Sequence, residues 1–106
     1  MIIWSDKCYL TEAVRPGIKK IKKSIEKPEK LRFGAYLITL CDNGTDLLEI
    51  YDILFFPAGF YKGENKDIVI VGVAESSNAA KELAGSIVMD VNRETGTFDV
   101  GKYFGN

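Results

Sequence analysis

Three groups of residues in this chain have types and spacings that could do chemistry. Ser76, Ser77 and Asn78 follow an apolar run and open an amphipathic stretch, where free backbone N–H groups and a helix dipole would converge on a phosphate or carboxylate. Lys19, Lys20, Lys22 and Lys23 put four ammonium groups in five positions, a density that attracts nucleic-acid phosphates in a salt-sensitive way. Phe55, Phe56, Phe60 and Tyr61 place four aromatic rings in seven positions and could line a ligand pocket or a partner surface.

Each group also has a simpler use. The stretch from Gly72 to Asn78 matches neither G-x-G-x-x-G nor G-x-x-x-x-G-K-[ST], and Glu75 sets a negative charge beside any anion. Helix capping is therefore the preferred role of Ser76, Ser77 and Asn78, which would line the anion site if one exists. The lysine segment has no aromatic stacking platform between Tyr9 and Phe33, which sequence-tolerant single-strand binding normally adds. Its apolar stripe is a narrow row of isoleucines without the Trp, Phe or Leu bulk of an interfacial membrane helix, so packing on a sheet is expected. For the aromatic cluster, core filling is the more ordinary use.

Much familiar chemistry is closed because the chain contains no histidine. Ser-His-Asp and Cys-His nucleophiles, His-ligated zinc or iron and an imidazole base near neutral pH are all removed. Paired carboxylates, a lysine of depressed pKa or a carboxylate-held cation need no imidazole and stay open. The two cysteines, Cys8 and Cys41, have neither C-x-x-C nor zinc-like spacing. Cys41 closes an apolar run and reads as a buried thiol, while Cys8 sits among polar residues, where it could be exposed and nothing adjacent would stabilise a thiolate. No catalytic residue, metal-ligand set or cofactor is assigned.

Elements must hold these residues in place. Residues 68–73 are nearly all β-branched and lack polar alternation, which predicts a central strand covered on both faces. Ala80, Leu83, Ala84, Ile87, Val88 and Val91 then form an apolar stripe, predicting a helix over about 78–94 that stops at Gly96. Val14, Ile18, Ile21 and Ile25 recur at helical spacing between Pro16 and Pro28, predicting a surface helix over about 15–27 with the lysines outward. Residues 35–41 and 46–52 flank Asn43-Gly44, the signature of a β-hairpin. In its second strand Leu48 and Ile50 face one way and Glu49 and Tyr51 the other, as in a strand with one wet face. Pro57 and Gly59 break the 53–61 segment into a short turn or 3-10 segment covering the sheet end, and residues 97–104 are expected to form a short edge strand or an apolar tail packing back on the domain.

At 106 residues, 46% hydrophobic and 27% charged, the chain fits one soluble domain spanning 1–106. No apolar stretch approaches the roughly 20 residues of a membrane span, and the first residues lack the features of a secretory signal, so no membrane association and a cytoplasmic location are expected. Net charge is −1, yet residues 1–32 carry nine Lys/Arg against four Asp/Glu, and residues 33–106 carry five against eleven. Such polarity can mark a nucleic-acid-binding arm. It is equally satisfied when the basic segment meets acidic neighbours or a second subunit, the preferred reading.

Trp4-Ser5 with Tyr9-Leu10, the run 68–74, and Glu94-Thr95-Gly96-Thr97-Phe98-Asp99-Val100 with Tyr103-Phe104 resemble a family of small uncharacterised Firmicutes proteins found in conjugative-transposon-like regions. The resemblance spans nearly the whole chain. It implies an association with mobile elements and brings no activity, cofactor or catalytic residue.

The reading is an α+β domain with a three- or four-stranded mixed sheet, a β-hairpin and two main helices packed on it. The expected function is a non-enzymatic interaction or accessory module, a homodimer or a binder of a protein partner that covers spare sheet or aromatic surface such as Phe55, Phe56, Phe60 and Tyr61. Two alternatives stand beside it: a nucleic-acid-binding accessory protein using Lys19, Lys20, Lys22 and Lys23, and a small-molecule or phosphate-binding enzyme at residues 72–78 or at the aromatic segment 53–61.

Overall fold

Four strands and three helices are laid out in a computed structural model that describes residues 2–26, 34–40, 48–53 and 68–104. Strand β1 (Ile2–Leu10) leads through a 3-10 turn at Arg15–Gly17 into α1 (Ile18–Glu26). Strands β2 (Tyr36–Leu40), β3 (Leu48–Asp52) and β4 (Ile68–Ala74) follow, then α2 (Ser77–Thr95) and the single turn α3 (Val100–Tyr103). The sheet order is β1-β4-β2-β3, with β1 parallel to β4 and the other two pairings antiparallel, which makes an α+β fold with a mixed sheet.

The β-branched run forms the interior strand that its composition calls for. Ile70, Val71, Val73 and Ala74 are fully buried, because neighbouring strands take both edges of β4 and helices cover both faces. On one face Val14 and Ile21 pack with Leu37, Ile70 and Val73; on the other Ile87, Val91 and Val100 pack with Ile38 and Val71. The sheet is thus the middle layer, with α1 on one side and α2 and α3 on the other.

A bulge in β4 allows this. Ile38 lies opposite Gly72 while Thr39 lies opposite Ile70, so Val71 is an extra residue and the inward alternation changes phase. Both Val71 and Gly72 then lie on the α2 side. A Cβ on Gly72 would come within 3.1 Å of Ile38 Cδ1 on β2, so the missing side chain makes room for Ile38, while Ile87 of α2 lies just above at 3.4 Å.

Both ends of α2 follow from local chemistry. Ser76 is the N-cap, its side-chain oxygen accepting the Ala79 N–H at 3.1 Å, and Gly96 closes the helix at φ +73°, a left-handed conformation that glycine takes without steric cost.

Some expectations need correction. Ile2–Leu10 is a nine-residue strand that carries no strand pattern in sequence, because Ser5-Asp6-Lys7 interrupts its apolar residues. Residues 100–103 form a helical turn in place of an edge strand, since the Asp99 carboxylate caps it by accepting the Lys102 N–H at 3.0 Å; the apolar tail does pack back, with Val100 buried. In β3, Tyr51 packs against one core cluster and Leu48 against the other, so neither face is simply wet, and Ile50 is the exposed apolar residue. The Asn43-Gly44 turn, Cys41 and the 54–61 aromatic segment with Phe55, Phe56, Phe60 and Tyr61 lie outside the described residues, as does the side chain of Ile25.

Candidate functional site

Helix α1 places the lysines as their spacing requires. Ile18 and Ile21 turn toward the sheet, and Lys19, Lys20, Lys22 and Lys23 are exposed. Packing also brings an aromatic ring to this face from a distant part of the chain. The Lys22 ammonium lies 4.9 Å from the centroid of Trp4 on β1, a cation–π contact between elements that the sequence separates.

The strand-to-helix loop has a structural use. Ser76 spends its side-chain oxygen on capping, Glu75 and Asn78 are exposed, and Ser77 is the first residue of α2. The oxygen that would contribute to an anion cradle is therefore already engaged with one of the N–H groups an anion would use.

Cys8 is not the exposed thiol its polar neighbours suggest. It packs against the α1-side cluster with Trp4 and Leu10, and burial pushes its pKa up to about 11, against the opposing pull of the Lys22 charge. A thiol held protonated at neutral pH is a poor nucleophile.

A side-chain cluster that the sequence does not reveal lies on the opposite face. β1 pairs with β4 as far as Trp4 opposite Ile70, then resumes at Tyr9 opposite Gly72, so residues 5–8 bulge away from the sheet. Tyr9 donates its hydroxyl hydrogen to Asp90 Oδ2 at 2.7 Å on α2. Its hydroxyl oxygen lies 2.9 Å from the Tyr103 hydroxyl, and because the Tyr9 proton is committed to an acceptor-only carboxylate, Tyr103 is the donor there. Burial first, then the hydrogen bonds to Tyr103 and Asp90, push the Tyr9 pKa above its ordinary value, making it a fixed donor and not a base. Arg93 bonds the other Asp90 oxygen, and Phe104 meets Tyr103 and Tyr9 edge-on, with ring centroids 5.0 and 6.1 Å away.

Lys7 belongs to the same cluster. Its ammonium donates to the Tyr103 carbonyl at 3.2 Å and lies 4.5 Å from the centroid of that ring. Two depressions flank the contact and share Asp6, Lys7 and Tyr103: one of about 430 Å³ toward Ile3, Val69 and Phe104, the other of about 330 Å³ toward Cys8, Leu10 and Arg15.

No family model, curated protein or solved structure matches this chain. Its function is therefore argued from its own surfaces. Among the described residues no group of three or more His, Cys, Asp or Glu side chains could hold a metal ion, and no helix is long and apolar enough to cross a membrane. The signal that could have exposed the hidden cluster was a pair of hydroxyl-bearing rings beside apolar residues, Tyr9 before Leu10 and Tyr103 before Phe104. Nothing in a linear reading pairs positions 94 residues apart.

Proposed function

We propose that the protein is a non-enzymatic interaction module that binds through the lysine face of α1. The supporting observation is that the helix is anchored by Ile18 and Ile21 while Lys19, Lys20, Lys22 and Lys23 all stand exposed on it, a cationic surface on a fixed support. A second copy is the partner that the charge layout favours, since residues 33–106 carry five basic against eleven acidic side chains. The setting is cytoplasmic, in keeping with the free thiol of Cys8, and the resemblance to proteins of conjugative-transposon-like regions makes an accessory role in a mobile element part of the proposal.

Sedimentation velocity across ionic strength tests it. A dimer is expected near 0.05 M salt, dissociating toward about 0.5 M as the Debye length shrinks, and lost when the four lysines are replaced by glutamine. A monomer at every salt and protein concentration would defeat the self-association.

The contact of Lys22 with Trp4 favours a second reading, single-stranded nucleic acid, because it supplies the aromatic neighbour that the lysine segment lacks. Titrating a labelled oligonucleotide should show affinity falling with salt at a logarithmic slope of about 0.7 per phosphate neutralised, with quenching of Trp4, the chain's single tryptophan. Absence of binding at low salt removes this reading and leaves the first intact.

A further inference from the structure

The crevice of about 430 Å³ beside the β1 bulge lies toward Val69, Tyr103 and Phe104 and shares only Trp4 with the α1 surface. We propose that it is a binding site for a free amino acid with an aromatic or branched side chain. Its volume falls in the range of small-ligand sites. Its walls divide by chemistry: Ile3, Val69 and Phe104 offer an apolar seat, and Asp6 and Lys7 set opposite charges at the bulge.

The decisive feature is the Lys7 ammonium. A surface lysine ordinarily samples many rotamers, and fixing one on binding carries an entropic cost. Here the Tyr103 carbonyl at 3.2 Å and the Tyr103 ring already position it, and Tyr103 is in turn held by Tyr9 and Asp90. No carboxylate among the described residues pairs with Lys7, and two of its three N–H donors are left by the bond to the carbonyl. A preorganised cation with no counter-ion among the described residues, at the mouth of a crevice with an apolar wall, suits a carboxylate attached to an apolar body. Asp6, lining the same space, suits an ammonium on the adjacent atom. An α-amino acid carries all three groups on one carbon.

Protein-observed NMR with L-phenylalanine tests the site, and capped derivatives separate a free amino acid from a peptide end. L-phenylalanine should shift the amide resonances of Ile3, Ser5, Val69 and Phe104 in a saturable way. N-acetyl-L-phenylalanine, which mimics a C-terminus, and L-phenylalanine amide, which mimics an N-terminus, should each bind about tenfold more weakly for the loss of one charged contact. Lys7→Gln should abolish the difference between L-phenylalanine and its amide, and Asp6→Asn the difference between L-phenylalanine and its N-acetyl form; both residues are exposed, so the fold should survive. No shift up to the solubility of L-phenylalanine overturns the site. Equal binding of the doubly capped N-acetyl amide overturns charge recognition, and tighter binding of either singly capped form reassigns the crevice to a peptide terminus.

Discussion

Tyr9 and Cys8 are two groups whose ionised forms the folded chain disfavours. Each binds its proton more tightly folded than unfolded, because its folded pKa is raised, to about 11 for Cys8 and further for the more strongly shifted Tyr9. Their contribution to stability is complete below the ordinary values of 9.0 and 10.0 and is lost as the pH climbs through the raised ones. Urea midpoints should therefore fall from about pH 8 to about pH 10.5, and fall less in a Cys8→Ser, Tyr9→Phe double variant; a wild-type midpoint that does not move would contradict the burial of both groups. Tyr9→Phe alone should cost about 1–2 kcal/mol at neutral pH, and a double-mutant cycle with Asp90→Asn should show coupling between the two sites. None of this was legible from residue types. Tyr9 and Asp90 are 81 positions apart, and the depth of Cys8 is set by α1 folding over it, although its immediate neighbours in sequence are polar.

Elements whose signals are local were legible. The caps of α2 sit at Ser76 and Gly96 because hydroxyl capping and left-handed backbone are properties of single residues, and β4 is interior because six consecutive residues leave no polar face. β1 was hidden for the opposite reason: its middle leaves the sheet, so Ser5, Asp6 and Lys7 stand where alternation would demand apolar side chains. The bulge in β4 was equally silent, since Gly72 inside a strand can mark a weakness as well as a close approach. Its role makes a sharp prediction. Gly72→Ala places a methyl group within 3.1 Å of Ile38 Cδ1 and should destabilise by about 1–3 kcal/mol, and Gly72→Val by more. Thermal unfolding of the two variants checks it, and an unchanged melting temperature for Gly72→Val would mean that α2 does not seat on this glycine.

At the scale of the molecule, surface charge and stability should separate. Replacing Lys19, Lys20, Lys22 and Lys23 by glutamine removes exposed charges and one cation–π contact, so unfolding free energy should change by no more than about 1 kcal/mol while salt-dependent association disappears. Circular dichroism melts run beside the sedimentation measurements would show whether the two move together. The sheet order, meanwhile, constrains how the chain is born. Ile2, Ile3 and Trp4 are synthesised well before Ile68, Val69 and Ile70, the residues they pair with, and β2 and β3 are made in between. Until β4 is made, β1 carries an apolar stretch with nowhere to dock, while the β2–β3 ribbon is already available to form. Final closure of the sheet is thus a late event, and until it happens β1 is the strand most in need of protection from unwanted partners.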